Sequence, residues 1–122
     1  MKTPWFCRRK ALANVTGSAY SVIRCANSGV FFGIIGPLTG PLGRTAEITN
    51  ARNLYSWKGA ASLMQLGLEG VKDPGGCQFT VTVPKITVTD VIQVVPCTAE
   101  AEASIMGVYT WKCIEKGRCT GD

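Results

Sequence analysis

The sequence contains no histidine. That removes the side chain that most often moves protons near neutral pH and most often ligates transition metals. A zinc site would need four thiolates, or thiolates helped by carboxylates. The six cysteines include no Cys-x-x-Cys pair, so neither a zinc ribbon nor a thioredoxin-type redox site is encoded. A cysteine nucleophile normally depends on a base of the histidine kind, which excludes papain-type chemistry. Charged residues make up only 17% of the chain, below the usual ~25%, as expected of a domain that hides surface against partners. No run approaches the ~20 apolar residues of a membrane span. Residues 11–22, which follow the basic start, are too polar for the apolar stretch of a secretory signal. The expectation is a soluble protein made in the cytosol, with no membrane contact. Asn14-Val15-Thr16 fits the glycosylation pattern, which has no meaning outside a secretory pathway.

Other catalytic patterns are missing too. The acids Glu47, Glu69, Asp73, Asp90, Glu100 and Glu102 show no spacing that would make two carboxylates converge. Glu100 and Glu102 do not share a helix face. Residues 36–43 are glycine-rich but lack the Lys-Ser/Thr step and the strand–loop–helix order of a phosphate loop. We expect no enzyme and no cofactor.

What is present is a chain of 122 residues, the size of one domain. Its net charge of +5 is uneven. Lys2, Arg8, Arg9 and Lys10 come with no acid among residues 1–10, whereas residues 11–111 carry six bases and six acids. The basic character belongs to an arm rather than to a domain face. We read residues 1–18 as a basic N-terminal arm, 19–111 as one globular domain and 112–122 as a C-terminal tail. Trp5 and Phe6 sit inside the arm, and aromatics on a tail want a pocket. Trp5, Phe6, Arg8, Arg9 and Lys10 are therefore the candidate docking residues, with a protein neighbour as the partner. Nucleic acid is the less favoured partner, because no basic face backs the arm.

Along the domain, residues 20–26 and 30–35 read as strands around the Asn27-Ser28-Gly29 turn. Gly33 marks a bulge or a close backbone approach. Two Gly-Pro steps make residues 36–44 a loop. A third strand covers 45–57 and is interrupted near Asn53. Ala60, Leu63, Met64, Gly67 and Leu68 fall on one helical face over 60–68. Residues 77–83 form a short strand closed by Pro84, and the β-branched run 86–95 forms another. Thr98 caps a second helix over 99–106, which has Glu100 and Glu102 in its first turn and Gly107 at its end. Residues 108–111 add an edge strand. The expected fold class is α+β and mainly β: a small bent sheet or an SH3/Sm-like barrel of five or six strands, with two short helices and extended terminal arms.

Six cysteines allow 15 pairings, but the missing secretory signal argues against a disulfide framework. Cys25 and Cys97 lie in apolar runs and serve as small core hydrophobes. Any bridge belongs to the ends of the chain, with Cys113–Cys119, or a pair involving Cys7, as the candidate.

The series Val22-Ile23-Arg24, Ser28-Gly29-Val30, Asn50-Ala51-Arg52, Tyr55-Ser56-Trp57, Gly59-Ala60-Ala61-Ser62-Leu63, Glu69-Gly70-Val71 and Pro96-Cys97-Thr98 resembles a family of small uncharacterised proteins of tailed bacteriophages. The likeness spans roughly residues 20–112, and its specific part is the run from Ala51 to Leu63. The loop 36–44 and the basic arm depart from it. The resemblance implies a phage or prophage origin and no activity.

Two functions remain open. The first is a virion structural or accessory protein, a head decoration or a tail or connector component. It would be made in the host cytoplasm, dock through its arms, and contact capsid or tail proteins or copies of itself. The second is an early phage protein that binds a host factor or sequesters a nucleotide signal in an oligomeric pocket lined by Arg24, Arg44, Arg52 and Lys58. Tyr55, Trp57 and Leu63 are read first as a packing signature, and the four bases as solvated.

Overall fold

The computed structural model describes residues 18–115 and 118–121. Its core elements are β1 (Ser21–Cys25), β2 (Gly29–Ile35), β3 (Ala46–Ser56), α1 (Leu63–Glu69), β4 (Gln78–Val88), β5 (Val91–Pro96) and α2 (Ala99–Met106). A separate hairpin, β6 (Trp111–Glu115) and β7 (Arg118–Gly121), follows. The main sheet is antiparallel in the order β4-β3-β2-β1-β5. The described residues are therefore mainly β with two short α-helices, the class expected from the sequence.

Both faces of this sheet are buried, so the central strands read as apolar runs and not as an alternation. One face carries Val22, Phe32, Leu54 and Phe79, and packs against Leu63 and Leu66 of α1 and Ala101 and Ile105 of α2. The other face carries Ile23, Cys25, Ala46, Ile48, Ala51, Val88 and Val91, all from strands. Among the described residues no helix contributes to this second set, in which Ile23 and Ile48 are fully buried. Val91 N–H, opening β5, donates to Arg44 O at 3.1 Å, two residues ahead of β3. One edge strand, β5, thus reaches the loop that leads into β3, and the sheet curls across this face.

The curl has a local cause. Ala46 and Ile48 face the inner core with even numbers, but beyond them Ala51 does so with an odd one. Asn50, at φ 53°, is the extra residue, and the pairing with β2 shifts register there. Gly33 lies opposite. A Cβ on it would come 2.5 Å from Ile48 Cγ2 and 2.9 Å from Thr49 O, so the close approach expected at Gly33 is present. β3 is interrupted twice: at Asn50 in its pairing with β2, and near Asn53, as expected, where its register with β4 shifts between Arg52 and Leu54. β4 repeats the shift: Val83 faces the inner core, but so do Ile86 and Val88. Thr49↔Lys85 and Ala51↔Val83 bracket Pro84 opposite Asn50. The β3–β4 ribbon bends as a unit at that pair.

Pro84 therefore does not close a strand, as expected from sequence. β4 is an edge strand, where a missing N–H is tolerated. The chain breaks later, around Asp90, whose carboxylate accepts from Asn27 N–H at 2.6 Å and from Ser28 N–H and Oγ. This holds the β1–β2 turn against the start of β5.

α1 begins at Leu63 and not at residue 60. Ser62 Oγ accepts Gln65 N–H at 3.1 Å, and Gln65 Oε1 accepts Ala61 N–H at 2.8 Å, a variant of the capping box. α2 starts as expected. Thr98 Oγ1 accepts Ala101 N–H and also donates to Leu68 O at 2.6 Å, tying the two helices together. The segment expected as a polar tail from residue 112 contains the β6–β7 hairpin instead. It joins the main sheet through the parallel bridge Phe79↔Thr110 and the stacking of Trp111 on Tyr55.

Candidate functional site

The free thiols among the described residues are locked away. Cys25, Cys77 and Cys97 are free thiols, and all three are buried. Burial, with the Asp90 carboxylate beside it, pushes the Cys25 thiol up to about 11. Burial near Glu102 pushes Cys97 up to about 12. Cys77 is also raised, chiefly by burial. Its Sγ accepts Lys58 N–H at 3.5 Å and donates to Asp73 O at 3.4 Å. None of the three is a thiolate near neutral pH, so none is poised as a nucleophile. Cys25 and Cys97 lie in the cores expected of them. Among the described residues no three of His, Cys, Asp and Glu are grouped to hold a metal ion.

Arg52 has a role that sequence reasoning missed. It is 4% exposed. Nε donates to Thr80 O at 2.8 Å, Nη1 to Ile105 O at 2.8 Å, and Nη2 to Val108 O and Tyr109 O at 2.7 Å each. Its carbon Cζ lies 5.3 Å from the centre of the Phe79 ring. Burial lowers its pKa from the usual guanidinium value, and one of its partners, Ile105 O, lies at the negative end of α2. The signal available in sequence was a single charge between Ala51 and Leu54 in a run that otherwise reads as core.

The expected anion pocket therefore loses a member. Four of the five N–H groups of Arg52 are already donated to backbone. Arg24 is half-buried on β1, across from Val30 and Gln93. Arg44 is exposed in the loop before β3, and Lys58 is exposed after it. None of the four lines either of two surface clefts. One, of about 200 Å³, is bordered by Phe31, Asn53, Val81 and Val83. The other, of about 290 Å³, lies between Pro37, Thr45, Glu47 and Thr87.

Within the packing signature, Leu63 belongs to the core and Trp57 packs on it. Tyr55 differs. It is 68% exposed and stacks on Trp111 with ring centres 5.5 Å apart. The docking residues expected in the arm, Trp5, Phe6, Arg8, Arg9 and Lys10, lie outside the described residues. Where the described chain begins, Ser18 Oγ donates to Glu102 Oε1 at 2.7 Å. Cys113 is disulfide-bonded, and the register of β6 and β7 sets it opposite Cys119.

The surface carries apolar side chains at ordered places. On α1, Met64 and Leu68 are exposed four residues apart. Between β2 and β3, Leu38 and Leu42 are exposed on a loop that is a hairpin in its own right. Thr39 and Thr45 exchange backbone hydrogen bonds of 2.7 and 3.0 Å, and Gly43 N–H closes the tip on Gly40 O at 3.1 Å. Pro41 and Gly43 take the places a type I turn favours.

Residues 18–105 match the family described as a domain of unknown function, DUF6948, and the chain belongs to that family. No curated protein and no solved structure matches the chain.

Proposed function

We propose that this member of the family is a non-enzymatic bacteriophage protein that works by docking on protein neighbours, as a head decoration or a tail or connector accessory of the particle. The observation that carries the reading is apolar exposure on ordered backbone. Leu42 is 76% exposed at the tip of a hydrogen-bonded turn, the Tyr55–Trp111 stack stands open, and Met64 and Leu68 line one exposed side of α1. Backbone held this way has little freedom left to lose on binding, which lowers the cost of docking. The phage setting rests on the resemblance of the run from Ala51 to Leu63. The three buried thiols add support, since burial raises each away from the thiolate that a cysteine nucleophile needs.

The nucleotide-sequestering alternative is not taken up, because Arg52 is committed to backbone carbonyls. Mass spectrometry of purified particles of the encoding phage tests the docking reading. Many copies per particle are expected, and absence from particles would overturn it.

A further inference from the structure

The hairpin between β2 and β3 carries a short sequence repeat, Gly36-Pro37-Leu38-Thr39 followed by Gly40-Pro41-Leu42-Gly43. Leu38 is 48% exposed and Leu42 76%. Neither leucine fills the cleft at the base of its own hairpin, whose walls include Pro37, Thr39, Thr45, Ala46, Glu47 and Thr87. At about 290 Å³ this cleft is at the small end for a ligand pocket, but it has room for a leucine side chain. The charges follow the same pattern. Arg44, on the arm of the hairpin, is exposed. Glu47, on the wall of the cleft, is held only by an exposed pair with Lys85 at 3.4 Å, a contact of little strength that a better partner can replace.

An apolar knob and a base thus stand on the hairpin beside an acid and a cleft that neither leucine fills, its far wall being Thr87 of β4. A single chain does not bring knob and cleft together. Two chains related by a two-fold axis can satisfy both at once, because such an interface uses the same patch on each side. We infer that two copies of this chain associate through this hairpin, with Leu42 of each entering the cleft of the other and Arg44 facing Glu47 across the axis. This deepens the docking reading by naming a second copy as one partner.

Sedimentation equilibrium of the full chain tests it. The wild type should show a concentration-dependent dimer. Leu42→Asp should weaken dimerisation about tenfold or more, the range of a central apolar contact, with an unchanged circular dichroism spectrum because Leu42 makes no core contact. Arg44→Glu and Glu47→Arg should each weaken the dimer, and the double variant should restore it. Met64→Asp, on α1, should leave it unchanged. A wild type that stays monomeric at every concentration, or a dimer indifferent to Leu42→Asp, overturns the proposal. A monomer that nevertheless occurs in particles would sink this inference alone and leave the docking reading intact.

Discussion

The guanidinium of Arg52 on β3 donates to the carbonyl of Ile105 in the last turn of α2 at 2.8 Å. With its bonds to Thr80, Val108 and Tyr109, it fastens the helical layer to the sheet without a carboxylate. Replacing it leaves several buried carbonyls short of donors, and each such loss costs about 1–3 kcal/mol. Arg52→Met should lower unfolding stability by about 3 kcal/mol. Arg52→Lys should recover only part of this, because one ammonium cannot span the four carbonyls. Lys58→Met, at an exposed position, should stay within about 0.5 kcal/mol of wild type. Urea denaturation separates these outcomes, and near-equal stability of Arg52→Met and Lys58→Met would refute the fastening role.

The buried thiols give the domain an alkaline limit. An unfolded cysteine ionises near pH 8.5, whereas Cys25 and Cys97 are raised to about 11 and about 12. Above pH ~8.5 the unfolded chain therefore holds fewer protons than the folded one, and stability falls as pH rises. The contribution is complete below the unfolded pKa and is lost progressively up to the folded values. Melting points measured from pH 7 to 11 should fall, and Cys25→Ala with Cys97→Ala should flatten that slope whatever its effect at pH 7. Iodoacetamide at pH 8 should leave both thiols unlabelled until denaturant is added; rapid native labelling of either would contradict their placement.

The β6–β7 hairpin is two strands wide, and a two-stranded hairpin is marginal on its own in water. Its supports are the disulfide at Cys113, the bridge at Thr110 and the stack of Trp111 on Tyr55. Reduction should raise amide exchange across residues 111–121 while the main sheet keeps its protection. Tyr55→Ala should add to that effect. Equal deprotection of β1 and β2 on reduction would show instead that the hairpin and the sheet unfold as one unit.

Much of the fold could be read from sequence because local signals and packing agree there. The apolar runs of β1 and β2, the Thr98 cap and Gly33 each state what the structure contains. The misreadings arise where packing overrides a local rule. Pro84 is a strand breaker by composition, but it falls on an edge strand opposite Asn50, where the ribbon already bends. The 3.6-residue pattern from Ala60 carried no mark of the Ser62 cap except the Ser-x-x-Gln spacing. Arg52 looks like a surface base because its carbonyl partners come from residues 80 and 105–109, distant in the chain. The hairpin after Thr110 was hidden by a polar composition that suits a tail equally well. The exposed leucines of the 36–44 loop were visible as residues, but the hydrogen bonds that present them were not.

The facing pair Asn50 and Pro84 has a consequence for chain length. Each is the surplus residue of its strand, so removing both would leave every inward and outward side chain of β3 and β4 on its present side. Only the bend would go. The outer half of the ribbon would then swing away from Arg44's contact with Val91, and the curled sheet would open into a flatter one. Removing one alone would leave its partner strand a residue too long, so tolerated length changes at this point should come in twos, one from each strand.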